Sequence, residues 1–193
     1  MVLERVPIGR LQSPPPGAAY WVTGLPGAGK TTLATRLADR IAADGRSVVQ
    51  LDGDRMRVML GGGYGYSQRD RHALAEIYAR ACQEFSRQGH DVVCATVSMF
   101  HDVRRWSRAN IAGYCEIYLQ APIELLAERH PKGLYAAALA GRIRNVPGVD
   151  LALEAPDNPD LRIDLDRSMS AAAVADALFQ FLDLNRGDAH AAG

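Results

Sequence analysis

The sequence predicts an α/β protein, a three-layer sandwich in which helices cover both faces of a five-stranded parallel sheet. Three observations carry that expectation. Short apolar runs alternate with longer stretches whose apolar residues recur every three or four positions, the pattern of strands alternating with amphipathic helices. The run Val92-Val93-Cys94-Ala95-Thr96-Val97 is apolar without alternation, which suits a strand covered on both faces. A glycine-rich stretch, Gly24 to Thr32, falls between the first apolar run and the first helical pattern.

Taken in order, residues 1–17 contain Pro14-Pro15-Pro16-Gly17 and read as an extended lead-in. Residues 18–23 make the first strand. The helix beginning near Lys30 carries Leu33, Leu37 and Ile41 on one stripe and stops at Asp44-Gly45. Residues 47–51 make the second strand, which ends in Asp52-Gly53-Asp54. The segment Gly61-Gly62-Gly63-Tyr64-Gly65 is a flexible loop. Ser67 then N-caps a helix to about Gln88, with Asp70 in a capping box and Leu74, Ile77, Ala81 and Phe85 inward. Residues 91–97 are the third strand, and 98–110 form a polar stretch with Arg104, Arg105 and Arg108. After a fourth strand at 115–119, Pro122 opens a helix through about Arg129. Residues 130–159, rich in Gly, Pro and Ala and weakly periodic, suit a mobile lid. A fifth strand occupies 161–165, and Ser170 caps a last helix with Val174, Leu178, Phe181 and Leu182 inward. The domain is expected over residues 18–185, with a frayed tail over 186–193.

The 193 residues suit one domain with a substantial core, and 48% apolar with 23% charged residues is a water-soluble globular profile. Net charge is zero, so neither nucleic acid nor an anionic membrane is expected as a partner. No apolar run is long enough to span a membrane, and the N-terminus has no signal-peptide core. Cys82, Cys94 and Cys115 lack C-x-x-C spacing and lie in apolar stretches, so free buried thiols in a reducing cytoplasm are expected.

The chemistry starts at GLPGAGKTT. It fits G-x-x-x-x-G-K-[ST] with Gly24, Gly29, Lys30 and Thr31, in strand–loop–helix context. Loop N–H groups and the helix N-terminus converge on phosphate oxygens. Gly24, Gly27, Ala28, Gly29, Lys30, Thr31 and Thr32 are therefore candidate ATP contacts, and Arg129 is a further one. Lys30 reaches the β and γ phosphates, while the Thr31 hydroxyl ligates Mg²⁺. A glycine turn in an ordinary βα unit is the bland alternative. Asp52 and Asp54 end a strand, where open α/β sheets place ligands. One would hold Mg²⁺ and the other would orient or deprotonate an acceptor hydroxyl, with Asp54 favoured as base or Mg²⁺ partner. Both would lie beside the loop if their strand adjoins the first. Asp-Gly-Asp is also good turn chemistry. Arg57, Arg71, Arg104, Lys132, Arg142 and Arg144 are candidate anion contacts. The histidines lack metal spacing. Trp21 and Trp106 are expected to pack rather than stack on a base.

Five stretches in order, WVTGLPGAGKTTLA, LDGDRMR, GYSQRDR, PKGLY and EAPDNPDL, resemble the adenylylsulfate kinase (APS kinase) family from about Trp21 to Asp166. The resemblance implies a P-loop kinase fold, ATP and Mg²⁺, and a homodimer. It implies transfer of the γ-phosphate to the 3′-hydroxyl of adenosine 5′-phosphosulfate (APS), giving PAPS in sulfate assimilation. It places Asp52, Arg57, Tyr66, Arg71, Ser98, Arg104, Lys132, Leu134 and Arg144 at the acceptor, with the Tyr66 ring able to stack on adenine. The chain departs from the family pattern with Pro26 for serine, Arg55 for asparagine and His130 for aspartate. Ala73-Leu74-Ala75-Glu76-Ile77 replaces Glu-Asn-Ile-Arg-Arg, and Ser98-Met99-Phe100-His101 replaces Ser-Pro-Tyr-Arg. Val146 stands where a second stacking aromatic is usual, and Ala136-Ala137-Ala138-Leu139 replaces a basic stretch. ATP positions are kept and acceptor positions are changed, so weakened APS binding is expected. Two rivals share these residues: a paralogous kinase for another nucleotide or small-molecule hydroxyl, and a nucleotide-binding regulator without turnover. Retention of Lys30, Thr31, Asp52 and Asp54 argues against the regulator.

Overall fold

Five strands, β1 (Ala19–Gly24), β2 (Val48–Asp52), β3 (Asp91–Thr96), β4 (Tyr114–Gln120) and β5 (Leu161–Asp164), pair in parallel in the order β2-β3-β1-β4-β5. The computed structural model describes residues 14–130 and 133–190, with side chains described through residue 185. Seven helices cover the sheet among these residues: α1 (Lys30–Ala43), α2 (Gly53–Met59), α3 (Gln68–Arg87), α4 (His101–Asn110), α5 (Ile123–Arg129), α6 (Leu134–Leu139) and α7 (Ala171–His190).

Strand alternation divides the core between two faces. On one, Tyr20, Val22, Val93, Ala95, Ile117 and Leu119 pack with Leu33, Leu37 and Ile41 of α1 and Val174 and Leu178 of α7. On the other, Ala19, Trp21, Val92 and Cys94 pack with Leu74, Tyr78 and Cys82 of α3 and Val103 of α4. This is the expected three-layer arrangement. The inward stripe of α3 is offset from the expected one. Leu74, Ala75, Tyr78, Ala79 and Cys82 are buried, while Ile77, Ala81 and Phe85 sit partly buried on its shoulder.

Three helices were not anticipated. Helix α2 starts where a turn was expected, because the Asp52 carboxylate accepts from the N–H groups of Asp54 and Arg55 and so caps it. Helix α4 turns Val103, Arg104 and Ser107 inward, and a buried arginine hides the apolar period. Helix α6 is a single short run, three alanines between Leu134-Tyr135 and Leu139, inside the stretch read as irregular. In that stretch the Asp150 carboxylate accepts from the N–H groups of Asn145 and Val146, at 2.8 and 2.7 Å, and pins the chain. Helix α7 continues to His190, past residue 185. Most of the lead-in, residues 1–13, lies outside the described residues, but Gly17 is tied to Ser86 through its N–H and its carbonyl.

Candidate active site

Helix α1 leaves β1 over one face of the sheet, and α4 leaves β3 over the other. The connections after two adjacent strands therefore part in opposite directions, which opens a crevice at their C-terminal ends. A cleft of about 600 Å³ occupies it. Gly27, Gly29, Lys30, Thr31 and Thr32 line one end, with Asp52 and Asp54, Thr96 and Ser98 beyond.

The phosphate loop is seated by close packing. Gly24 has φ +153°, and a Cβ there would lie 2.5 Å from the Leu119 carbonyl oxygen, so only glycine fits. Lys30 is half-buried and its ammonium donates to the Leu25 carbonyl oxygen at 3.0 Å. Burial pulls its pKa down to about 8, against the opposing pull of the Asp54 and Asp52 carboxylates. The Thr31 hydroxyl donates to Asp52 Oδ2 at 2.7 Å, while Asp52 Oδ1 caps α2.

That geometry corrects one premise. Strand β2 does not adjoin β1, because β3 lies between them. The carboxylate still reaches the loop, since α1 crosses above β3 and its first turn ends over the tip of β2. It is Asp52, rather than Asp54, that touches Thr31. A threonine hydroxyl beside a carboxylate is the sparse, hard-oxygen donor set that suits Mg²⁺, which keeps waters and phosphate oxygens as its other ligands. No group of three or more His, Cys, Asp or Glu able to hold a metal occurs among the described residues.

At the other end, Tyr66 is 58% exposed and carries two guanidinium groups near its ring, Arg57 at 4.6 Å and Arg71 at 5.4 Å. Arg57 donates to the Tyr64 carbonyl at 3.0 Å, and Arg71 to the Tyr66 and Asn145 carbonyls at 3.1 and 3.2 Å. Burial, then the nearby Arg57 charge, pull the Arg71 pKa down. Thr96 and Ser98 share a hydroxyl hydrogen bond of 2.8 Å at the end of β3. Leu74, Phe100, Val146 and Leu153 supply an apolar wall.

A family model described as Adenylylsulphate kinase matches residues 16–164. The chain belongs to the adenylylsulphate kinase family. An adenylyl-sulfate kinase of Deinococcus deserti is 39% identical over 167 residues, 86% of this chain and 90% of that one. A probable adenylyl-sulfate kinase of Pyrococcus abyssi is 37% identical over 78% of this chain and 87% of its own. Among solved structures, the APS kinase of Mycobacterium tuberculosis in complex with AMPPNP and APS superposes with a TM-score of 0.79 at 31% identity, covering 88% of this chain and 99% of that one.

Within this family frame, the cleft brings together Gly27, Gly29, Lys30, Thr31, Thr32, Asp52, Asp54, Arg57, Tyr66, Arg71, Ser98, Leu134 and Arg144. Gly24 and Ala28 shape the loop from behind, with the Ala28 N–H donating to the Leu25 carbonyl. Lys132 lies outside the described residues. Arg129 points elsewhere, donating to the Asp166 carbonyl at 2.7 Å on the connection into α7. Arg142 does not line the cleft.

Arg104 is likewise absent from the cleft wall. It is 5% exposed, with Nε 3.2 Å from Glu116 Oε1 and donations to the Glu154 and Ala155 carbonyls. The approach to Oε1 is an ion-pair contact without hydrogen-bond alignment. Arg104 thus ties the EAPDNPD stretch to α4 and β4. Replacing Arg104 with Met should cost about 3–5 kcal/mol, because Glu116 stays buried with one partner fewer. Urea unfolding of the variant measures this, and native stability would show the pair to be dispensable.

Sequence reasoning did not single out Tyr78, whose hydroxyl donates to the Gly53 carbonyl at 3.0 Å, or Leu153. Tyr78 lies one residue beyond Ile77 on α3, so the correct helical phase would have turned it toward β2. Leu153 had no local signal.

Proposed function

We propose that this family member transfers the γ-phosphate of ATP to the 3′-hydroxyl of APS, giving ADP and PAPS. The observation that carries the reading is one cleft with a lysine–threonine phosphate loop at one end and an aromatic ring flanked by two guanidiniums at the other. Lys30 leaves the Leu25 carbonyl for the polyphosphate and stabilises charge on the transferring group. Thr31 and Asp52 would hold Mg²⁺, which supplies charge neutralisation across the β and γ phosphates when bound. Asp54, beside them, receives the proton of the acceptor hydroxyl. Tyr66, Arg57 and Arg71 take the acceptor nucleotide by stacking and by charge. The fold brings Asp52 against Thr31, which favours Asp52 as the Mg²⁺ partner and leaves Asp54 for the acceptor.

The deciding experiment follows ADP formation with and without APS and identifies the product. APS-dependent ADP release with PAPS as product supports the reading. Turnover of another nucleotide or sugar hydroxyl, with none on APS, would replace it. That second reading draws on the apolar wall of Leu74, Phe100 and Val146, where Val146 is 3% exposed and offers no stacking face. Calorimetry with MgADP present should find APS binding more weakly here than to the Deinococcus relative assayed alongside. One lost stacking partner costs about 1–3 kcal/mol. Equal affinity would mean that the changed positions do not touch APS.

The segment from Gly133 to Pro159 closes over bound substrates as a lid, supported by Leu134, Ile143, Arg144, Asn145 and Leu153 lining the cleft. Hydrogen exchange there should slow when an ATP analogue and APS are both bound, and unchanged exchange would count against closure. A homodimer, which sedimentation measures, accords with the family resemblance. A reducing cytoplasm accords with the free thiols of Cys82, Cys94 and Cys115. No helix among the described residues is long and apolar enough to cross a membrane.

A further inference from the structure

His130 lines the phosphate end of the cleft, and none of the roles above uses it. It follows the last turn of α5, where its N–H donates to the Leu126 carbonyl at 2.9 Å. Its ring meets Tyr135 edge to face, with centroids 6.2 Å apart and planes at 89°. Tyr135 is fully buried, and its hydroxyl donates to the Pro26 carbonyl at 2.7 Å. The two rings are thereby fastened over the Pro26–Gly27 lip of the phosphate loop. Gly27 has φ +86°, and a Cβ built there would lie 3.7 Å from His130 Cβ and 3.8 Å from Cδ2. The Cβ–Cδ2 side of the imidazole is therefore the side turned to the loop, with Nε2 the ring nitrogen next to Cδ2.

The two ring nitrogens differ. Nδ1 is enclosed by protein with no hydrogen-bond partner. Buried N–H groups without a partner are rarer than buried acceptors without one, so the neutral ring keeps its proton on Nε2. That leaves a donor at the lip of a loop whose backbone N–H groups already converge on phosphate. The acceptor such a place offers is a phosphate oxygen.

We propose that His130 is a specificity-determining contact of the nucleotide site, with Nε2–H donating to a β- or γ-phosphate oxygen of bound ATP. The proposal rests on the cleft being a nucleotide site. It is tested by calorimetry of MgATP, MgADP and APS on the native protein and on His130→Leu, His130→Gln and His130→Asn. Leucine keeps packing against Tyr135 but has no donor. The glutamine amide reaches the place of Nε2, and the asparagine amide reaches only that of Nδ1. Expected are fivefold or greater weakening of MgATP by Leu and by Asn, shared by MgADP for a β-phosphate contact and absent from it for a γ-phosphate contact, with Gln within twofold of native and APS unchanged throughout. Should the Leu variant fail to fold, the contrast between Gln and Asn decides. A native protein that binds no MgATP would overturn the nucleotide reading itself. Native MgATP binding with Leu or Asn as tight as wild type overturns the His130 proposal alone. So does weakening of APS equal to that of ATP, or a loss in Gln equal to that in Asn, since either marks wall packing rather than a phosphate contact.

Discussion

Lys30→Ala lowers kcat by at least about a thousandfold while the fold persists, since it removes the cation aimed at the transferring phosphoryl. The same residue makes binding pH-dependent. Its folded pKa of about 8 lies below the ordinary 10.5 because burial penalises the ammonium. Between those two values the unfolded chain holds a proton that the folded chain has released, so stability rises with pH across that window. Below about 8 the full cost of the buried ammonium is present, on the order of 3 kcal/mol. Lys30→Met should therefore stabilise the ligand-free protein at pH 7 while destroying turnover. ATP brings the opposite charge and raises the lysine pKa, so binding above pH 8 takes up a proton. Calorimetry at pH 8.5 in two buffers of different ionisation enthalpy measures that uptake. A folded Lys30→Ala variant with near-native kcat would refute the assignment.

Asp52→Asn lowers kcat by about a hundredfold to a thousandfold with little loss of stability, because asparagine caps a helix nearly as well as aspartate. Asp52→Ala loses the α2 cap as well, at a further cost of about 1 kcal/mol in unfolding. The difference between the two separates the chemical duty proposed for Asp52 from its capping of α2, the carboxylate meeting Thr31 through Oδ2 and the Asp54 and Arg55 N–H groups through Oδ1. Asp54→Asn should lower kcat about a hundredfold or more with ATP affinity unchanged, as loss of a general base does. Steady-state kinetics beside MgATP calorimetry reads all three variants. Native kcat in Asp54→Asn would remove it as the base, and native kcat in both asparagine variants would reduce Asp52-Gly53-Asp54 to a turn.

The nucleotide end was legible because its signals are local. Gly24, Gly29, Lys30 and Thr31 stand within one loop and one helix start, so their spacing in the chain is also their arrangement in space. The other end of the cleft was legible only in part. Tyr66 and Arg71 flank the Ser67 cap of α3 and were found with it. Arg104 was read as an anion contact, yet α4 turns it inward to Glu116, a partner twelve residues ahead in the chain. Arg129 was read as an ATP contact, yet its guanidinium serves the connection into α7.

By itself the sequence determined the parallel α/β class, the five strands and the phosphate loop. Apolar periodicity, caps and glycine placement are properties of neighbouring residues, and neighbours settle secondary structure and the turns between elements. Only the tertiary structure decided that β3 intervenes between β1 and β2, that Asp52 rather than Asp54 meets Thr31, and which way Arg104, Arg129 and His130 point. Strand order and the direction of a long side chain depend on contacts between residues far apart in the chain. Burial and charge pairing fix those contacts only once the layers have packed.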